Sequence, residues 1–336
     1  MTLRTSISRW RHSKRARQLS SLDPDKLTAD SEAKLLKAFQ RAARSVPAYR
    51  KVLSQYGVDP DTICTVADFR EKVPIIDKSV FVENELRDLC VGGPDDVSLF
   101  YSSSGHSGVF SFAVETRRDT KRIAHGIEFI WQQAFGVLDR KTLLINCLPM
   151  GVKIPSWNLP LAETSLRADV IWSLVKKLRH DFDQFVLIGE QLFIKKAIEE
   201  GIDHGVPWKD ILVHVATGAE YIPENYRKYI ASLLGMDLND PGTGAIWVNF
   251  GLSELTLTVF CEFSTMAAIR RLAHEDRAFR KALCDCDSWF APHVMQYFPD
   301  RTYIEVVPKG EDIGELVVSI LNPDAKIPLM RYNTHD

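Results

Sequence analysis

Cysteine is scarce in this chain of 336 residues. There are six, Cys64, Cys90, Cys147, Cys261, Cys284 and Cys286, at irregular spacing. That excludes a dense disulfide framework and fits a reduced, cytoplasmic setting. Long apolar runs are missing too: none reaches the roughly 18 residues that a membrane-spanning helix needs. No charged-then-apolar leader opens the chain. A large charge excess is also lacking. The net charge is −2, so nothing global favours nucleic acid or a membrane, and neither is expected as a partner. Internal repeats and low-complexity tracts are absent.

One local absence stands out. The first acid is Asp23, while Arg4, Arg9, Arg11, Lys14, Arg15 and Arg17 precede it. Residues 1–29 read as a solvated helix or frayed basic arm, with a transit peptide or an arm for an anionic surface as alternatives. Basic residues interleaved with aromatics over a wider region, as nucleic-acid binding requires, are not found.

What is present is a composition 45% hydrophobic and 26% charged, typical of a soluble globular protein with a large core. Helical spacing of Leu35, Leu36, Phe39, Ala42 and Ala43 predicts a helix capped at Asp30 or Ser31 and stopped at Pro47. A second short helix follows through Tyr49, Val52 and Leu53. Residues 116–135 read as a helix with Ile123, Ile127, Ile130 and Trp131 on one face. Then strand-like apolar runs at 141–148, 185–189, 211–216 and 245–250 alternate with helices at 168–179, 190–200 and 223–234. This order predicts α/β architecture with largely parallel strands. Ligands collect at the carboxyl ends of such strands. Those ends carry Thr217-Gly218-Ala219-Glu220 and Gly251-Leu252-Ser253-Glu254. From residue 302 the pattern becomes antiparallel, with strands at 302–307 and 314–321.

The most unusual stretch is residues 98–113. Two apolar arms enclose Ser102, Ser103, Ser104, Gly105, His106, Ser107 and Gly108. Serines and glycines add little packing. They suit a loop whose N–H and hydroxyl groups must approach an anion. A plain Ser/Gly hairpin turn is the alternative.

Taken in order, these segments resemble the adenylate-forming (acyl-activating) superfamily, and within it the phenylacetate–CoA ligase branch. Residues 101–108 look like its phosphate loop, 217–220 its adenine-contacting turn, and 249–254 its aromatic-Gly-x-Ser/Thr-Glu motif. Gly314-Glu315-Leu316 resembles the start of its β-barrel strand. Residues 328–336 resemble its Pro-Leu-x-Arg-Tyr-x-Thr-x-Asp segment. The resemblance implies layered sheets and helices over 30–300, and a small β-barrel-like subdomain over 301–336. It implies ATP-dependent activation of a small carboxylic acid as acyl-adenylate, for transfer to CoA or a carrier thiol. Transfer to a protein thiol, or a catalytically idle nucleotide- or acyl-adenylate-binding module, are the alternatives. A homodimer is allowed by it.

The resemblance also implies roles. Ser102, Ser103, Ser104, Gly105, Ser107 and Gly108 hold phosphates. Gly218, Ala219, Glu220, Phe250 and Gly251 contact the adenine of ATP or AMP. Asp336 binds the ribose. Ser253 serves the α-phosphate, and Glu254 holds Mg²⁺. His106 stands where a hydroxyl is usual, and the lysine that often follows the loop is replaced by Val109-Phe110-Ser111-Phe112. The family's C-terminal lid, with its catalytic lysine, would follow Asp336; the preferred reading is a chain cut at that hinge, with a naturally lidless protein as the alternative. Cys261, Cys284, Cys286 and His293 are candidate Zn²⁺ ligands by chemistry, with ordinary buried or free cysteines as the alternative.

Overall fold

Strands buried on both faces need apolar residues at every position rather than at alternate ones. Residues 143–145 and 185–188 meet that condition, and 213–216 meet it except at the buried His214; they lie in adjacent strands of the sheet. The computed structural model describes residues 3–102, 112–149, 152–218, 220–255, 258–284, 288–310 and 313–335.

In chain order, α1 (Leu3–Ser20), α2 (Pro24–Ser45), α3 (Pro47–Gln55), α4 (Val66–Lys72), α5 (Ser79–Glu83) and α6 (Leu86–Leu89) lead to β1 (Val97–Ser102) and β2 (Phe112–Thr116). There follow α7 (Arg117–Phe135), β3 (Thr142–Asn146), β4 (Leu161–Glu163), α8 (Ala168–Leu178), β5 (Gln184–Ile188) and α9 (Gln191–Asp203). Next come β6 (Val213–Gly218), α10 (Glu224–Leu234), β7 (Ile246–Phe250), β8 (Phe260–Cys261), α11 (Ser264–Glu275) and α12 (Arg277–Cys284). The last strands are β9 (Gln296–Tyr297), β10 (Thr302–Pro308), β11 (Gly314–Ile320) and β12 (Tyr332–Asn333).

Contacts group the chain into two compact units. One comprises Met1–Ser20, Lys121–Gly251 and Phe260–Gln296; the other comprises Ser21–Thr120, Leu252–Val259 and Tyr297–Asp336.

The first unit is built on a sheet of order β4-β3-β5-β6-β7-β8-β9. Strands β3 to β7 run parallel, and β8 returns antiparallel to β7. Phe185, Leu187 and Val215 from the sheet pack with Ile171 and Val175 of α8, Ile194 of α9 and Ile230 of α10. Burying each such side chain contributes about 1.5–3 kcal/mol. The basic segment, read as a solvated helix or a frayed arm, forms helix α1, with Ser8 and His12 buried.

In the second unit, α2 is capped by Asp23, whose carboxylate accepts from Asp25 N and Lys26 N, with Pro24 in the first turn. The helix therefore begins earlier than the apolar spacing indicates, and Ser31 lies buried within it. Strands β1 and β2 form an antiparallel hairpin in which Ser102 pairs with Phe112. Strands β10, β11 and β12 form an antiparallel sheet of three. This sheet is open. Among the described residues its three strands form no closed barrel.

Candidate functional site

In the first unit, the parallel register sets Gly218 opposite Asn249, at the carboxyl ends of β6 and β7. The approach is closer than any side chain permits. A Cβ at Gly218 would collide with the Asn249 carbonyl oxygen and stand 2.9 Å from Asn249 Oδ1. Gly218 therefore serves backbone proximity at a strand end, where a ligand can approach. Phe250 follows on β7, half-buried, its ring edge-on to Phe260 at 5.8 Å. Gly251 and Glu220 are exposed. Gly218→Ala is expected to pry these strand ends apart and cost about 1–3 kcal/mol, read as a lowered thermal midpoint.

The turn beyond Gly218 is held by groups that sequence reading does not single out. Ile222 N–H donates to His293 Nε2 at 3.3 Å, and Ile222 O accepts from the Arg270 guanidinium. Tyr221 Oη donates to Ala291 O at 2.9 Å. Its ring meets that of His293 edge-on at 5.2 Å, and Arg270 lies 5.2 Å from it.

Behind the turn sits a buried quartet of two arginines and two glutamates. Arg227 Nη2 contacts Glu262 Oε2 at 2.6 Å, and Arg227 Nε contacts Glu224 Oε1 at 3.3 Å. Arg270 Nη1 reaches the same Glu224 oxygen at 3.2 Å, and Glu262 Oε1 at 3.8 Å. Arg227 Nη1 also donates to Ile246 O at 2.7 Å, tying α10 to β7. Formal charges cancel within the quartet, as burial requires. Burial nonetheless pushes the Glu262 carboxyl up, against the pull of Arg227 and Arg270. Elsewhere in this unit the fully buried Glu128 of α7 accepts from Trp157 N at 2.6 Å and Asn158 Nδ2 at 2.7 Å, fixing that loop. A lone acid amid Ile127, Phe129 and Ile130 was the available signal.

In the second unit, both hairpin strands pack against the short 3₁₀ turn Ser253–Leu255. Glu254 in that turn is 5% exposed, and its Oε1 accepts from Tyr332 Oη at 2.6 Å across 78 residues. Tyr332 on β12 is fully buried and packs on Phe81, which packs on Phe112 of β2. Arg331, beside it, pairs with Glu305 at 3.1 Å and donates to Arg70 O and Val73 O. The unit thus joins the hairpin flanking the Ser/Gly loop, the Ser253-Glu254 turn and the segment carrying Arg331 and Tyr332.

Ser103, Ser104, Gly105, His106, Ser107 and Gly108 lie outside the described residues, as do Ala219, Cys286, Asp336 and the side chain of Ser102. Of the candidate zinc ligands, Cys261 is buried on β8 and Cys284 ends α12. His293 directs Nε2 to the Ile222 backbone. Among the described residues, no group of three or more His, Cys, Asp and Glu side chains is arranged to hold a metal ion.

Two histidines of the first unit give it an acid-sensitive stability. Burial, with Arg270 and Arg227 nearby, pushes His293 down to about 3; burial, then Arg140, takes His214 to about 4. Both are lowered from 6.5, so folding favours the neutral imidazoles. Their contribution is present above pH 6.5 and is lost as pH falls from 6.5 towards 4 and 3, because the unfolded chain binds more protons there. Glu262, with its carboxyl raised, acts in the opposite direction. Thermal midpoints should accordingly fall less between pH 7 and pH 5 in His214→Gln than in the unaltered chain.

No family model matches the chain. Over 328 residues it is 24% identical to a phenylacetate–coenzyme A ligase of Thermus thermophilus, covering 95% of this chain and 67% of that protein. Its fold is similar to a 2-hydroxyisobutyryl-CoA ligase in an open conformation with 2-HIB-AMP and CoA: TM-score 0.65, 13% identity, 90% of this chain and 67% of that one. The same ligase in its thioesterification state gives a TM-score of 0.69 at 14% identity, over 94% of this chain and 63% of that one. The chain thus spans roughly two thirds of the length of these relatives. In sequence the chain is thus similar to that phenylacetate–coenzyme A ligase, and in fold to that 2-hydroxyisobutyryl-CoA ligase.

Proposed function

We propose that the chain activates a carboxylic acid with ATP and passes the acyl group to coenzyme A. The observation that carries this reading is the buried Glu254–Tyr332 pair beside the hairpin that brackets the Ser/Gly loop. A buried carboxylate has a desolvation cost, met here by the Tyr332 hydroxyl. In the reaction, a carboxylate oxygen attacks the α-phosphorus and the bond to pyrophosphate breaks. The CoA thiolate sulfur then attacks the acyl carbon, and AMP leaves with the electron pair.

Both reactants of the first step are anions, so neutralisation and positioning dominate its barrier. Residues 102–108 would hold the β- and γ-phosphates through N–H and hydroxyl donors, with His106 in the place of one hydroxyl. Ser253 would donate to the α-phosphate. Residues 218–220 would meet the edge of adenine, Phe250 its face, with Gly251 leaving room for the chain to turn. Asp336 would accept from the ribose hydroxyls. The donor set suits Mg²⁺, because one carboxylate at Glu254 fits an ion whose other ligands are phosphate oxygens and water. When bound, Mg²⁺ supplies charge neutralisation. Tyr332 holds the Glu254 carboxylate for that role.

Zn²⁺ on Cys261, Cys284, Cys286 and His293 is a separate part of the proposal, tested by elemental analysis of the purified chain. His293 can join such a set only through Nδ1 while Nε2 serves Ile222. ATP–pyrophosphate exchange with a panel of aryl and aliphatic acids tests the first step. At least one acid should give exchange above the acid-free rate, and no response from any would overturn the reading. CoA-dependent AMP release tests the acceptor. Exchange without that dependence would instead favour transfer to a protein thiol.

A further inference from the structure

The first helix presents a face that packing inside the protein leaves unused. Helix α1 docks through Ser8 and His12, which are buried. His12 meets the Phe129 ring edge-on at 5.6 Å, and Arg15 lies 4.8 Å from the same ring. Arg4 stacks 4.0 Å from the Trp157 ring, and Arg9 pairs with Asp139. These contacts lie within one compact unit and fix how the helix is rotated.

At 3.6 residues per turn, Leu3, Ile7, Trp10, Lys14 and Arg17 then fall on one stripe, opposite the buried face. The stripe is wet: Leu3 is 79% exposed, Ile7 44% and Trp10 59%. Lys14 and Arg17 are exposed as well, and so is Arg11 on its flank. No acid occurs before Asp23 to neutralise them. An outward row of Leu, Ile and Trp that continues into cations offers apolar side chains and positive charge together to an anionic bilayer surface. The apolar side chains enter the acyl boundary, Trp sits at the head groups, and the cations meet lipid phosphates.

We propose that the Leu3-Ile7-Trp10-Lys14-Arg17 face of α1 docks the protein reversibly on anionic phospholipid. Two other occupants fit less well. A nucleic acid would satisfy the cations but leave Leu3, Ile7 and Trp10 in water. A second copy packed antiparallel on the same face would set Lys14 and Arg17 against Leu3 and Ile7 and give the cations no acidic partner. The proposal does not depend on the reaction the protein performs. It also needs no spanning segment: among the described residues, no helix is long and apolar enough to cross a membrane.

The test is co-flotation of the full chain with vesicles of phosphatidylcholine alone, and of phosphatidylcholine with phosphatidylglycerol, at low and high salt. Binding should be at least about tenfold stronger to the phosphatidylglycerol vesicles and should fall as salt rises. The double variant Lys14→Glu, Arg17→Glu should reduce it by about tenfold or more, and Ile7→Ser, Trp10→Ala by a similar factor. These side chains point to solvent, so both variants should keep the unaltered thermal midpoint, which is measured in parallel. The proposal is overturned if the intact chain does not float, if it floats equally with both vesicles, or if neither folded variant changes the result. It is equally overturned if the variants abolish binding to mixed-sequence RNA, or self-association, in a chain that does not float.

Discussion

Arg270→Met is expected to destabilise the protein by about 3–5 kcal/mol, the cost of leaving buried carboxylates without their counter-charge. Arg270 faces both Glu224 and Glu262, and all three side chains are fully buried. Losing it leaves one guanidinium, that of Arg227, against two acids. It also removes the donor to Ile222 O, so the turn after Gly218 loosens along with the core. A second substitution separates the two effects. Adding Glu224→Gln restores the charge balance as an Arg227–Glu262 pair, and should recover most of the lost stability in urea unfolding. The hydrogen bond to Ile222 stays lost in both variants, so nucleotide binding should remain weakened where stability returns.

Glu254→Gln is expected to lower acid-dependent ATP–pyrophosphate exchange by about a hundredfold or more, the scale for losing a preorganised charge that acts on the reacting phosphates. Tyr332→Phe should lower it by about tenfold, because it removes a hydrogen bond to the carboxylate but leaves the charge. The two changes should be strongly non-additive, since Tyr332 is assigned its effect through Glu254. Equal losses from both, with full additivity, would mean that Tyr332 acts on its own account.

The sheet was legible because its physics is local. Runs such as Leu143, Leu144 and Ile145, buried on both sides, can only be interior strands. The strand-end motifs were legible in order, and Gly218 shows why: the register leaves no room for a Cβ. The quartet was not legible. Glu224, Arg227, Glu262 and Arg270 look like ordinary surface charges, and only tertiary packing shows that all four side chains point inward. His293 illustrates the same limit: nothing in the sequence shows that its ring accepts the backbone N–H of Ile222, 71 residues away. For α1, the basic excess was plain in the sequence. Which side of the helix is spent on packing follows only from its contacts with Phe129 and Trp157. The boundary of α2 was missed because Asp23 and Pro24 lie before the apolar spacing begins.

Nucleotide binding that depends on Glu254 is tested by equilibrium titration of ATP and AMP, with magnesium, into the unaltered chain and Glu254→Ala. Saturable binding of both by the unaltered chain is expected, with ATP binding at least about tenfold weaker in Glu254→Ala. No saturable binding, or equal ATP affinity in a folded Glu254→Ala protein, would contradict it.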